Sequence, residues 1–109
     1  MSRGELAEFD ETNFEGMVLG RQGLTVVDFW SSTCAPCRQL TKILSQLQPD
    51  LPANVVIGKV NADDNSDLVD RFAVRTLPTL LFVKDGEVVA SRTGVDRRQV
   101  LKKLIEDHA

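Results

Sequence analysis

The 109-residue chain is 42% hydrophobic and 27% charged, with a net charge of −3. These are ordinary globular values, and the length suffices for one core but not two, so residues 1–109 are read as a single domain. The mild negative charge gives no basis for a nucleic acid or an anionic membrane as partner, and no apolar run reaches the roughly 18 residues of a membrane helix. The first twenty residues carry Glu5, Glu8, Asp10, Glu11 and Glu15 and hold no continuous apolar segment. They do not read as a secretory signal, which makes the cytoplasm the expected compartment. Both cysteines fall in one short motif, leaving none for a structural disulfide, as suits a reducing environment.

In chain order, residues 6–9 are a short candidate strand. Thr12 and Glu15 have capping-box spacing and are expected to open a short helix through Phe14, Met17, Val18 and Leu19, ended by Gly20 and Gly23. Residues 26–30, Val-Val-Asp-Phe-Trp, have the β-branched and aromatic composition of a strand buried on both faces. After a polar turn come Cys34-Ala35-Pro36-Cys37, then Leu40, Ile43, Leu44 and Leu47 at helical spacing. Pro49 and Pro52 stop that helix near Gln48. Residues 55–60 form the next strand, with Lys59 in an apolar setting. Asp63, Asp64, Asn65 and Ser66 supply turn and cap chemistry for a short helix with Leu68, Val69 and Phe72. Thr76-Leu77-Pro78-Thr79 leads into a strand over 80–83, and Asp85-Gly86 signals a hairpin to residues 87–90. Gly94 breaks that strand. Asp96, with Gln99 three residues on, is expected to cap a last helix whose Val100, Leu101, Leu104 and Ile105 face a sheet. The order is βαβαβαββα, an α/β chain with parallel crossovers and one antiparallel pair.

The two cysteines lie where a buried strand hands over to a helix. Pro36 tolerates the first helical turn, where an N–H has no partner within the helix. Free N–H groups and the positive end of the helix dipole there stabilise a thiolate. A free thiol with a pKa of about 8.5 is only about 3% ionised at neutral pH, so any lowering adds directly to the reactive fraction. Helical geometry sets the two Cα atoms about 5 Å apart, within the span of a disulfide. The competing use is half of a zinc site. Four protein ligands are the norm for structural zinc, and the only other soft candidate is His108, next to the C-terminus where helices fray. The spacing therefore favours redox chemistry without a metal.

Asp28-Phe29-Trp30, the Cys-Ala-Pro-Cys, the later Leu77-Pro78-Thr79 and the Asp85-Gly86 hairpin together resemble the thioredoxin family in order and spacing, over nearly the whole chain. The resemblance implies a central mixed five-stranded β-sheet flanked by helices on both faces. It implies a protein-disulfide reductase in which Cys34 is the nucleophile and Cys37 the resolving thiol. Asp28 becomes the buried proton acceptor, against the alternative of an outward-facing edge position, and Lys59 the cation that tunes it. Pro78 becomes a cis-proline facing the cysteines, leaving the Leu77 backbone free to pair with substrate. Trp30, Thr33, Ala35, Pro36, Leu77, Pro78, Gly94 and Val95 then form the substrate-binding collar. No bound cofactor is implied. Electrons come from a thioredoxin reductase, fed by NADPH or another donor, and the partners are that reductase and disulfide-bearing proteins, with the chain itself a monomer. A thiol oxidase or isomerase on the same fold, and a binding module that uses the collar for docking, are the alternatives. Two residues depart from the family's usual pattern. Thr33 stands where a tryptophan is usual, which bears on the substrate surface, and Ala35 where glycine is usual, which bears on the reduction potential.

Overall fold

A computed structural model describes residues 5–109. Five strands form one sheet: β1 (Ala7–Phe9), β2 (Leu24–Trp30), β3 (Val55–Asn61), β4 (Thr79–Lys84) and β5 (Glu87–Thr93), in the order β1-β3-β2-β4-β5. β3 runs parallel to both β1 and β2, while β4 is antiparallel to β2 and β5. Three α-helices accompany them: α1 (Ala35–Leu47), α2 (Ser66–Arg71) and α3 (Arg98–His108). A π-helical turn spans Glu15–Leu19 and a 3-10 turn Gln48–Asp50. Among the described residues no helix is long and apolar enough to cross a membrane. The mixed five-stranded sheet with helices on both faces is the arrangement expected from the sequence.

Strand alternation assigns the two faces. Leu24 and Val26 of β2, Val55 and Ile57 of β3, and Leu80 and Phe82 of β4 pack against Leu40, Leu44 and Leu47 of α1 and Leu101 and Ile105 of α3. The intervening Val27, Phe29, Val60, Leu81 and Val83 meet Phe14, Val18 and Leu68 on the opposite face. Asp28 continues the row that starts with Leu24 and Val26. The same alternation that buries those two residues against α1 therefore buries a carboxyl.

Four local expectations are corrected. The capping box lies two residues earlier than Thr12 and Glu15: the Asp10 carboxylate accepts from the Asn13 amide at 3.0 Å, and the Asn13 side chain accepts from the Asp10 amide at 2.8 Å. Thr12 donates its hydroxyl to the same Asp10 oxygen at 2.6 Å, so it is a guest of the cap. Asp96 does not cap α3. It makes two bonds to the Arg92 guanidinium at 2.9 and 3.0 Å, and Arg97 stands at the cap position without a side-chain capping bond. Val100 is 39% exposed, whereas Leu101 and Ile105 are fully buried, so the apolar face of α3 is narrower than its spacing predicts. His108 is not frayed: its ring lies 5.5 Å from that of Phe82, and Nδ1 is 2.8 Å from the Leu104 carbonyl oxygen.

Gly58, inside β3, lies under the Phe9 ring, and a Cβ built there falls 2.5 Å from Phe9 Cζ. Gly58→Ala should cost about 1–3 kcal/mol, the usual range for overfilling a packed core. Chemical denaturation measures it, and Phe9→Leu in the same background should recover part of the loss.

Candidate active site

β2 ends at Trp30, and α1 begins at Ala35 after four intervening residues. Cys34 caps α1 with extended backbone angles, and its sulfur accepts from the Cys37 amide at 3.3 Å, the place an oxygen holds in an ordinary N-cap. Pro36 falls within the first helical turn, as expected. Cys34 and Cys37 are joined as a disulfide with Cα atoms 5.3 Å apart. The environments of the two differ: Cys34 is half-buried at the surface, while Cys37 is fully buried beneath the helix.

Thr41 lies one helical turn beyond Cys37 on α1, and its hydroxyl donates to Asp28 Oδ2 at 2.9 Å. Asp28 is fully buried, and Oδ1 has no hydrogen-bond partner among the described residues. Removal from water pushes its pKa up to about 6, against the lowering effects of the Thr41 bond and of the Lys59 charge. Lys59 is opposite Asp28 in the β2–β3 pairing, and Glu8 is opposite Lys59 in the β1–β3 pairing. The Lys59 ammonium sits 3.6 Å from Glu8 Oε1 and 5.1 Å from the centre of the Trp30 ring. It is thus shared with a surface acid and an indole, and reaches Asp28 through its field. Trp30, Arg38, Thr41, Lys42 and Lys59 line a depression of about 290 Å³.

The remaining sequence candidates gather at the same end of the sheet. β4 starts beside the end of β2, with Thr79 opposite Phe29, and β5 ends there, with Thr93 opposite Thr79. Leu77 and Pro78 precede β4 and are joined by a cis peptide bond, and the Pro78 carbonyl accepts from the Gly94 amide at 3.0 Å. Ala35, Pro36 and Gly94 are exposed, Leu77 and Val95 half-buried, and Pro78 buried. Thr33 is exposed directly before Cys34. Among the described residues no three His, Cys, Asp or Glu side chains come together as a metal-binding group.

Sequence reasoning missed Thr41. Its signal was its spacing: four residues after Cys37, it shares the helix face that carries the cysteine onto β2. It also missed Ser31, whose hydroxyl donates to Asp63 Oδ2 at 2.8 Å. Nothing local in the sequence joins residues so far apart.

Thr41→Val keeps the shape of the side chain and removes the donor to Asp28. Because that bond favours the ionised carboxyl, its loss should move the Asp28 titration upward by about one pH unit. The carboxylate infrared band followed against pH reads the change directly.

The sequence model of the Thioredoxin family matches residues 5–107. Among curated proteins, the chain is 42% identical to a thioredoxin of Chlamydia pneumoniae, covering 89% of this chain and 92% of the relative. It is 35% identical to a thioredoxin of Haemophilus influenzae, over 95% and 97% of the two chains. A thioredoxin of Chlorobaculum thiosulfatiphilum is 32% identical, over 96% and 97%. With this coverage, and with a cysteine pair bonded across the first turn of α1, the chain belongs to the thioredoxin family and is a thiol–disulfide oxidoreductase.

Proposed function

We propose that the protein reduces disulfides of other proteins, with Cys34 as the attacking thiolate and Cys37 as the resolving thiol. The observation that carries the assignment is the asymmetry of the pair: a half-buried sulfur at the helix start, and a fully buried one a turn inside. In the reduced protein the amide groups at the start of α1 stabilise negative charge on Cys34. That thiolate attacks one sulfur of the substrate disulfide. A mixed disulfide forms, and the other substrate sulfur leaves as a thiolate. Cys37 gives its proton to Asp28, directly or through a water, and attacks the Cys34 sulfur. The substrate's second thiolate leaves, the substrate has gained two electrons, and the Cys34–Cys37 bond holds the oxidation.

The free Oδ1 of Asp28 supports its role as proton acceptor, because Oδ2 is already taken by Thr41. A carboxylate whose pKa is raised to about 6 is still mostly ionised at neutral pH and is a stronger base than an ordinary aspartate. Lys59 offsets part of the burial and keeps Asp28 from rising further. Trp30, Thr33, Ala35, Pro36, Leu77, Pro78, Gly94 and Val95 form the docking collar, with the Leu77 backbone pairing to an extended substrate segment. In this reading residues 1–109 act as one domain and a monomer in the cytoplasm. A thioredoxin reductase supplies electrons from NADPH or another donor. The test is reduction of insulin coupled to a reductase and NADPH, repeated with glutathione as the donor. Turnover with the reductase and little with glutathione is the expected result. A reduction potential well above that of the glutathione pool would assign the protein to oxidation or isomerisation instead.

A further inference from the structure

Ser31 follows β2 directly and is 4% exposed. Its hydroxyl oxygen is 2.8 Å from Asp63 Oδ2 and 3.2 Å from Thr33 Oγ1, and it accepts from the Thr33 amide at 3.4 Å. Its carbonyl accepts from the Cys34 amide at 3.1 Å. Asp63 is itself anchored. Its amide donates to Asn61 Oδ1 at 3.0 Å, and the preceding Ala62 amide donates to the Trp30 carbonyl at 2.8 Å. The loop after β3 is thereby tied to the turn that carries the nucleophile.

Counting protons fixes the direction of this chain. A hydroxyl has one hydrogen and two lone pairs, and a carboxylate only accepts. The Ser31 hydrogen therefore goes to Asp63. Between Ser31 and Thr33, Thr33 must then be the donor, and the Ser31 lone pairs are filled by the Thr33 amide and hydroxyl. The only hydrogen on the Thr33 hydroxyl is thus committed inward. Its lone pairs remain, on an exposed side chain next to Cys34.

We propose that Ser31 and Asp63 are positioning residues that fix the Thr33 hydroxyl as a hydrogen-bond acceptor for an N–H group of the docked disulfide segment. The inference rests on the reductase reading of Cys34 and adds a substrate class to it. Segments that present a main-chain or side-chain N–H beside the attacked sulfur are favoured, and those that present a carboxylate there are disfavoured. A polar contact replaces a broad apolar one at this position.

The experiment compares kcat/KM for insulin with kcat/KM for 2,2′-dithiodipyridine, a small disulfide that offers neither an N–H donor nor a carboxylate. Thr33→Val should lower the insulin-to-small-disulfide ratio by about two- to tenfold, the worth of one hydrogen bond. Asp63→Ala should lower it similarly, because the Ser31 hydrogen is then free to turn toward Thr33. Thr33→Ser and Asp63→Asn should retain the wild-type ratio, since each keeps the oxygen that the chain requires. Thr33→Val combined with Asp63→Ala should be no worse than either alone. An unchanged ratio in Thr33→Val, additive losses in the double variant, or an Asp63→Asn as impaired as Asp63→Ala overturns the proposal. A wild-type protein that turns over the small disulfide but not insulin overturns the protein-disulfide reductase reading itself, which separates the two failures.

Discussion

Cys34→Ser should abolish reduction of both protein and small disulfides, and Cys37→Ser should stop halfway, trapped as a covalent mixed disulfide. The first variant lacks the attacking sulfur. The second still attacks, but a serine hydroxyl cannot displace a thiolate from the bond that forms. Mass spectrometry of Cys37→Ser after exposure to an oxidised protein should show a stoichiometric adduct, and Cys34→Ser should show none. The reduced wild-type protein should alkylate at one cysteine much faster than at the other, because Cys37 is fully buried and Cys34 is not. Equal alkylation rates near neutral pH would contradict the assignment.

Asp28→Asn should slow turnover and stabilise the fold, most strongly at high pH. The sign follows from proton binding. The Asp28 carboxyl has a pKa of about 6 in the folded protein, against an ordinary aspartate value of 3.8. Between these values the folded state holds the proton more tightly than the unfolded one, so stability falls as pH rises through that window and is level above it. The difference corresponds to about 3 kcal/mol at pH 8, fading toward zero near pH 4. An asparagine carries no such burden, and its amide can still accept from Thr41. The melting midpoint of the variant should therefore exceed that of the wild type by about 10 °C at pH 8, with the gap closing at low pH. In kinetics, the variant should lose the pH limb that belongs to the coupled Asp28–Cys37 system. A constant gap in stability across pH, with an unchanged rate profile, would remove Asp28 from the proton path.

Main elements of the fold were legible wherever many residues carry the same message. The apolar run into Trp30, the helical spacing of Leu40, Leu44 and Leu47, and the Asp85-Gly86 hairpin each had one reading, and the structure follows it. Asp85 and Gly86 both have positive φ, as a tight two-residue turn between twisted strands requires. Short polar side chains were less legible, because each has several partners within reach. Asp96 had a helix start on one side and Arg92 on the other, and a bidentate guanidinium pair outcompetes a single amide. The sequence places Asn65 in a cap for α2, but its side chain instead accepts from the Glu11 amide at 3.1 Å and donates to the Asn61 carbonyl at 2.9 Å. In the candidate site, the cysteines and Asp28 stood out because they interrupt an apolar context. Thr41 and Ser31 did not, since their roles depend on partners set by the packing of α1 on β2 and by the loop after β3.

The central strand β2 receives its two neighbours at different times. β3 lies about 30 residues downstream, but β4, which covers the other edge of β2 and faces Asp28 through Leu80, is not complete until Lys84. On a ribosome adding roughly 5–20 residues per second, Cys37 precedes Lys84 by roughly 2–9 s. During that interval the nascent chain already carries both thiols, while the sheet lacks the strand that encloses the proton acceptor. The collar residues Leu77, Pro78, Gly94 and Val95 arrive later still than Cys37. Synthesis therefore delivers the reactive sulfurs before the environment that governs them, and a translating ribosome stalled before residue 79 would display a dithiol without its buried acid enclosed.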